Sequence, residues 1–191
     1  MKIYDCTTFY SEHMMYDIRL NILNENVDKF IVTEATHSHS GQSKKLNFNI
    51  NNYQKFKDKI IYVVIDKEPE NIQEVIKHDP NAQSIKRFNS LKRIELSYNK
   101  MLDHIEDAAE DDLIILSDND EIPNLKSDAF LKTKKDIILF RQLLFYYKFN
   151  LNYDILPWYG SKACKKKKLT SMSWLNNLKT KKYPFWRFDT L

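Results

Sequence analysis

The chain has 191 residues, of which 42% are hydrophobic and 29% charged, and its formal net charge is +4. This length and composition suit one soluble globular domain and leave little room for two. Glycine occurs only at Gly41 and Gly160, so neither GxGxxG nor GxxxxGK[ST] can be written, which argues against dinucleotide-binding and P-loop enzymes.

The cysteines and the N-terminal residues bear on the cellular compartment. Cys6 and Cys164 have no CxxC or Cys/His spacing, which fits a reducing compartment better than a disulfide framework. The first ten residues, MKIYDCTTFY, contain no apolar signal-peptide region, and no apolar run approaches the ~20 residues that a membrane helix needs. We therefore expect a cytoplasmic protein.

The first third of the chain predicts three strands and a helix. Strands are expected at 2–6, 28–35 and 59–66, where β-branched and aromatic residues are frequent. Ser11 is expected to cap the helix, whose apolar positions recur at helical spacing: Met15, Ile18, Ile22 and Leu23. The polar stretch 36–45 is predicted as a loop.

The middle of the chain predicts one long helix. Its apolar residues recur three or four positions apart: Ile85, Phe88, Leu91, Tyr98, Leu102 and Ile105. Lys86, Asn89 and Arg93 share a different face of this helix. An acidic run at 106–112 ends the pattern, and the apolar residues from Leu113 follow as a strand.

The last third predicts two strands, at 136–141 and 143–150, and a short helix around Trp174. Residues 155–188 contain eight lysines and Arg187 but no acidic residue. This basic region is either a solvated surface or a contact for an anionic acceptor or a membrane surface.

The order of these elements predicts an α/β domain with a mostly parallel central sheet flanked by helices. In open sheets of this class, ligands bind beyond the carboxyl ends of the strands.

Three carboxylates follow a short apolar strand in the stretch LIILSDNDEIP, residues 113–123. Asp118, Asp120 and Glu121 would repel one another unless a cation lay between them. An Mg²⁺-type ion takes one or two protein carboxylates and completes its shell with waters and substrate phosphates. The motif therefore predicts a divalent ion that binds a diphosphate.

The motif has three other possible interpretations. An EF-hand loop would need glycine and glutamate where Pro123 and Ala129 stand, so it fails. An aspartyl-phosphate phosphatase would use Asp118 as nucleophile, but it needs Thr or Val where Ile122 stands. In the third interpretation the acids merely end the strand before Pro123. The second and third alternatives stay open at this point.

Almost the whole chain resembles glycosyltransferase family 17, which includes β-1,4-mannosyl-glycoprotein β-1,4-N-acetylglucosaminyltransferases and many microbial and viral relatives. The family's D-x-D-E-I-P motif is matched at 118–123, and its strand ending in E-[AS] at Glu34-Ala35. Its G-x-x-[KR]-x-L loop is matched by Gly41, Lys44, Lys45 and Leu46, and the later stretches FYYKFNLN and WYGSKAC are similar too.

The resemblance implies a GT-A-type nucleotide-sugar-binding fold and a metal-dependent transfer, with inversion, from a nucleotide-diphosphate sugar, a UDP-sugar, to a glycan hydroxyl. By position, Asp120 would bind Mn²⁺ or Mg²⁺ directly, and Asp118 would contact the donor ribose or complete the metal shell. Residues 1–123 would form the nucleotide-sugar-binding half of one domain spanning 1–191, and 124–191 the acceptor-side half.

Further donor contacts carry over from the family by position. Thr8 and Glu34 would line the nucleoside at the ends of the first two strands. Arg87 or Arg93 would face the base or the diphosphate, and Lys45 would neutralise a phosphate.

An inverting transfer also needs a base that deprotonates the acceptor hydroxyl, and an ionised carboxylate suits this role. Asp154, after the aromatic strand, is the first choice and Asp189 the second. Relatives continue to a Gly-Trp-His segment that is missing before Leu191. We therefore expect a truncated or shortened member, and a catalytically silent nucleotide-sugar-binding module is the alternative function.

Other conspicuous residues carry weaker predictions. A metal site at His37 and His39 would need further ligands. An aromatic run consists of Phe145, Tyr146, Tyr147 and Phe149. Because alternate residues of a strand face the core, at most half of these rings could stack on a sugar. Trp158 and Trp174 are assigned to the core or the acceptor wall. No nucleic-acid-binding signature accompanies the lysines, so nucleic acid is not an expected partner.

Overall fold

A computed structural model describes residues 1–148, 150–180 and 185–191. In this part of the chain seven strands form one sheet: β1 (Ile3–Thr8), β2 (Lys29–Ala35), β3 (Ile60–Ile65), β4 (Leu113–Leu116), β5 (Ile137–Phe145), β6 (Asn152–Lys165) and β7 (Asp189–Thr190). Their order across the sheet is β3-β2-β1-β4-β6-β5-β7, and only β6 runs antiparallel to its neighbours. This confirms the mostly parallel α/β architecture, which is compatible with a GT-A-type fold.

Helices cover both faces of the sheet. They are α1 (His13–Leu23), α2 (Ala82–Asn99), α3 (Asp128–Lys132) and α4 (Met172–Asn176), with 3₁₀ segments at Ile50–Lys59, Leu102–His104, Lys166–Lys168 and Phe185–Arg187. One apolar cluster joins the sheet to α1, α3 and the first 3₁₀ segment, and a second joins it to the end of α2 and to α4. Both faces of the central strands are therefore buried, which explains their nearly continuous apolar runs.

The buried face of α1 differs from the prediction. Tyr16, Arg19, Leu20 and Leu23 point into the protein, whereas Ile18 and Ile22 are exposed. The predicted cap, Ser11, makes no capping bond. Burial of the charged Arg19 side chain turns this face of the helix inward, and periodicity of apolar residues cannot reveal it.

The buried face of α2 also differs from the prediction. Asn89, Arg93 and Ser97 are buried, whereas Phe88 and Leu91 are exposed, and the helix ends at Asn99. The amide of Asn89 exchanges hydrogen bonds with the backbone N–H and C=O of Gln73, at 3.0 and 2.7 Å. The helix therefore packs its polar face against a connecting loop and the carboxyl edge of the sheet.

One long hairpin replaces the two strands predicted at 136–150. β5 and β6 pair from Ile137 opposite Cys164 to Phe145 opposite Asn152, with two interruptions, and β6 occupies the start of the basic region. Beyond the part of β6 that pairs with β4, residues 141–145 and 152–160 form a two-stranded arm. The arm projects past the carboxyl end of β4, since β5 runs in the same direction as β4. The short helix predicted around Trp174 is confirmed as α4.

The lysines at the end of β6 are engaged within the protein. Lys165 and Lys167 form ion pairs with Asp111 and Asp136, and the Lys166 ammonium donates to backbone carbonyls of the acidic run. This pairing leaves less positive charge for an anionic partner than the sequence indicates. In the described part of the chain, no helix has the length and apolarity that crossing a membrane requires.

A buried ion pair ties α1 to the first strand. The Nε and Nη2 atoms of Arg19 donate to the two carboxylate oxygens of Asp5 at 2.7 and 2.6 Å, and both side chains are fully buried. The Nη1 atom of the same guanidinium donates to the carbonyl oxygens of Glu121 at 2.8 Å and Asp118 at 3.3 Å. One cation thus connects the core to the acidic turn after β4.

Replacing Arg19 by methionine should lower the free energy of unfolding by about 3–5 kcal/mol, because the Asp5 carboxylate is left buried and unpaired. The double variant Asp5→Leu/Arg19→Met should recover part of this loss. Urea unfolding followed by circular dichroism measures both values. The control is Lys126→Met, which removes an exposed pair with Glu25 and should cost less than about 1 kcal/mol. Equal losses of unfolding free energy in Arg19→Met and Lys126→Met would contradict this account.

Candidate functional site

A cleft of about 650 Å³ lies at the carboxyl ends of β1, β2 and β4. Side chains from β1, the loop after β2, α2 and the turn after β4 line it, and they include Thr8, Thr33, His37, His39, Lys44, Arg93, Ser97, Asp118, Asn119 and Asp120. This is the sheet edge at which an open α/β fold binds ligands. The cleft therefore brings together Thr8, Arg93, Asp118 and Asp120 of the predicted site.

The turn after β4, residues 118–121, presents its first and third side chains to the cleft. Asp118 and Asp120 are exposed, and Asn119 between them is buried. Two hydrogen bonds hold the backbone of the turn, because Arg19 and the Ser161 hydroxyl both donate to the Glu121 carbonyl. This support holds two carboxylates on one wall of the cleft at i and i+2.

Glu121 faces away from that wall and braces the turn. Its carboxylate accepts a hydrogen bond from the backbone N–H of Asp118 at 3.0 Å and another from the Trp158 indole at 3.0 Å. A side chain at Gly160 would collide with this carboxylate, so any other residue there would displace the Glu121 side chain. Burial, followed by the nearby charges of Asp118 and Asp120, raises the pKa of Glu121.

Tyr98 of α2 restrains the first aspartate. Its hydroxyl donates to Asp118 Oδ1 at 3.3 Å, and burial together with the Asp118 charge raises the pKa of this tyrosine. Tyr98 therefore remains a hydrogen-bond donor at neutral pH and orients the Asp118 carboxylate. The predicted apolar face of α2 contained Tyr98, but no sequence signal identified it as part of the site.

The side chains of the cleft fit a divalent ion that takes only some of its ligands from the protein. Among the described residues, no group of three or more His, Cys, Asp or Glu side chains is placed to enclose a metal. Asp118 and Asp120 offer carboxylates on this wall, whereas a third carboxylate that lines the cleft, Glu12, already accepts two backbone hydrogen bonds. In the part of the chain that the structure describes, the amide oxygen and nitrogen of Asn119 have no hydrogen-bond partner. Two oxygen ligands on an open wall suit Mg²⁺ or Mn²⁺, which complete their shells with water and phosphate.

Arg93 of α2 brings a positive charge to the cleft. Its Nε donates to Glu68 at 2.8 Å and its Nη1 to the His39 carbonyl at 3.1 Å. A side chain at Gly41 would lie 2.5 Å from Arg93 Nη2, and the φ of +86° at Gly41 favours glycine as well. Arg87, the alternative arginine of the prediction, is exposed and does not line the cleft.

Glu34 anchors the loop that forms one side of the cleft. Its buried carboxylate accepts hydrogen bonds from Lys44 Nζ at 2.5 Å, the Tyr62 hydroxyl at 2.9 Å, and the backbone N–H groups of Asn47 and Phe48 at 2.8 and 3.0 Å. It does not line the cleft, so the structure does not bring it to a nucleoside. Lys44 lines the cleft in place of Lys45, which is exposed outside it.

Three buried side chains in the cleft wall have polar atoms without a hydrogen-bond partner among the described residues. These atoms are Thr33 Oγ1, His37 Nε2 and the side-chain amide of Asn119. Burial also lowers the pKa of His39, which favours the neutral imidazole. Sequence reasoning missed Asn119, because asparagine is not a residue type that marks catalysis.

The two predicted bases lie in different parts of the protein. Asp154 is exposed on the arm, where residues 154–157 form a bulge opposite Leu143, next to Trp158. Asp189 belongs to β7, three strand spacings of ~4.8 Å from β4, or about 14 Å. Its carboxylate accepts a hydrogen bond from Thr133. Neither carboxylate lines the cleft, so the choice between them stays a prediction. Phe149 lies outside the described residues.

Comparison with protein families gives one match. The model of glycosyltransferase family 17 matches residues 1–174. None of the curated proteins is significantly similar to this chain.

Replacing Glu34 by glutamine should destabilise the protein at neutral pH and weaken its acid sensitivity. Burial opposes ionisation, but the four hydrogen bonds together lower the pKa of Glu34 below its ordinary value. A carboxyl group with a lowered folded-state pKa stabilises the protein above its unfolded pKa of ~4.3, and this stabilisation is lost as the pH falls through the folded value. Glu34→Gln should therefore melt at a lower temperature at pH 7 and show a shallower decline towards pH 3.

Thermal unfolding at half-unit pH steps provides the measurement. Glu74→Gln, at an exposed position on a connecting loop, is the control and should follow the parent at every pH. Parallel curves for Glu34→Gln and the parent would show that this carboxylate does not anchor the loop.

Proposed function

The chain belongs to glycosyltransferase family 17, and we propose that it transfers a sugar from a UDP-sugar to a glycan hydroxyl with inversion at the anomeric carbon. The observation that carries this proposal is the braced turn after β4, which presents Asp118 and Asp120 to a cleft of about 650 Å³. We assign residues 1–123 to the donor half and residues 124–191 to the acceptor half.

The donor diphosphate is assigned to the wall between Arg93 and the acidic turn. Arginine has five N–H donors, and two donor atoms of Arg93 are engaged by Glu68 and His39, so the guanidinium retains donors for a phosphate. Lys44 adds a second cation at the same cleft. Thr8, at the end of β1, is assigned to the nucleoside, in line with the position that the family resemblance indicates.

Asp120 and Asp118 would hold Mn²⁺ or Mg²⁺. The ion would supply charge stabilisation to the diphosphate as the bond to the sugar breaks. The protein's own contribution is to orient these ligands: Tyr98 binds Asp118 Oδ1, and Arg19 holds the backbone on which both aspartates stand.

Asp154 is assigned as the base that takes the proton from the acceptor hydroxyl. It is exposed on the arm that also carries Trp158, whose indole binds the acidic turn, so we expect an acceptor that lies against the arm to bring its hydroxyl towards this carboxylate. The carboxylate of Glu121 belongs to the turn itself, but both its oxygens accept hydrogen bonds from the protein.

Asp120→Ala should lose the share of stabilisation that the metal contributes to UDP binding. We expect UDP with Mn²⁺ to raise the melting temperature of the parent by several degrees, and UDP with EDTA to raise it less. The variant should respond equally to both mixtures, since one of the two ligand carboxylates is gone. Asp17→Ala, on the exposed face of α1, is the control and should keep the parent's response. A Mn²⁺-dependent shift that survives in Asp120→Ala would remove this residue from the metal assignment.

Asp154→Asn should lower kcat for transfer by about 10²–10⁴-fold, the range typical of a lost general base. The thermal response to UDP and Mn²⁺ should be unchanged, because the donor is bound elsewhere. The release of UDP from UDP-sugars in the presence of glycan acceptors measures turnover. Asp128→Asn, on α3, serves as the control. Unchanged turnover in Asp154→Asn would show that another group acts as the base.

A further inference from the structure

The hairpin of β5 and β6 carries exposed apolar side chains that the donor site does not use. Leu143, Ile155 and Leu156 of the arm and Tyr147 of the connecting turn are all more than half exposed, and Trp158 of the arm is 44% exposed. Large apolar side chains that cluster on one element and reach into solvent indicate a contact surface. Among them, only Trp158 has a described bond to the acidic turn.

The indole of Trp158 is held in one orientation beside the metal-binding aspartates. Its Nε1 donates to Glu121 Oε1, while Glu121 Oε2 accepts from the Asp118 backbone N–H. Gly160 leaves space for this carboxylate, and the neighbouring Gln142 is fixed by hydrogen bonds with Ser161. The edge of the ring is therefore bound to the turn, whereas a large part of the ring remains open to solvent.

A fixed and accessible aromatic ring at this position matches the chemistry of a pyranose. The C–H face of a sugar ring is apolar and packs on an aromatic face, and a side chain that is already immobile loses little entropy on binding. Transfer requires the acceptor hydroxyl to lie ~3–3.5 Å from the donor's anomeric carbon. The acceptor sugar must therefore lie next to the acidic turn, which Trp158 contacts.

We propose that Trp158 binds the acceptor by stacking against the pyranose ring that receives the transferred sugar. This inference rests on the proposed function, since the acidic turn must hold the donor. Trp158 is a specificity-determining residue for the acceptor and takes no part in donor binding. Asp154 stands on the adjoining bulge of the same strand, about 7 Å further along the arm at ~3.4 Å per residue of β5, so one element holds both the acceptor platform and the base.

Saturation-transfer-difference NMR tests this proposal without requiring turnover. The probes are methyl β-D-glucopyranoside, methyl β-D-galactopyranoside and methyl β-D-mannopyranoside, each titrated with UDP and Mg²⁺ present, because paramagnetic Mn²⁺ would broaden the glycoside resonances. We expect saturation of the C–H face of at least one glycoside. Trp158→Ala should weaken its binding by about 5–10-fold, the size of an aromatic stacking interaction. Trp158→Phe should keep it within about 3-fold, because a ring remains.

The matched control is Trp186→Ala. Trp186 is also exposed but lies just before β7, which pairs with the first residues of β5 and not with the arm. It should bind the glycoside as the parent does. If Trp158→Ala also alters the thermal response to UDP and Mn²⁺, the test of glycoside binding is made with Trp158→Phe. Loss of glycoside binding in Trp158→Phe overturns the proposal.

Three further results would overturn it: no saturation of any glycoside by the parent, equal binding by Trp158→Ala and the parent, or conversion of a dimer to a monomer by Trp158→Ala in light scattering. The last would show that a second copy of the chain covers this surface. A parent that binds glycosides but gives no Mn²⁺-dependent response to UDP would instead contradict the donor assignment, so the two failures are distinct.

Discussion

The buried ion pair between Asp5 and Arg19 is the constraint on which the site depends. Both charges are removed from water, a state that is tolerated only with close geometry and further hydrogen bonds. Those further bonds go to the carbonyl oxygens of Asp118 and Glu121. The guanidinium that satisfies a core carboxylate therefore also fixes the backbone of the acidic turn, and the carboxylates of Asp118 and Asp120 are left facing the cleft.

Glu121 extends this support from the sheet to the arm. One carboxylate joins the Asp118 backbone to the Trp158 indole, and the absence of a side chain at Gly160 makes room for it. In a glycosyltransferase the two substrates must meet within bonding distance. Under the proposed function, this link would therefore set the separation of the donor and the acceptor before either substrate arrives.

The orientation of α2 shows how a functional site reverses an ordinary sequence rule. Apolar periodicity places the inward face along Phe88 and Leu91, yet Asn89, Arg93 and Ser97 point inward. The helix borders a polar cleft and a polar loop, so its hydrogen-bonding side chains have more to gain from burial than its apolar ones. Local patterns fail most often where the protein needs polar groups inside.

The sequence by itself determined the α/β class, the first four strands and the acidic motif. Short apolar runs indicate the strands, and the residues of the motif are contiguous. It did not determine the hairpin of β5 and β6, whose lysines and Pro157 obscure the strand pattern. Nor did it separate Lys44 from Lys45, since neighbours in sequence can face opposite ways. Tertiary structure decided these points through contacts between residues as far apart as Arg19 and Glu121, which no local pattern encodes.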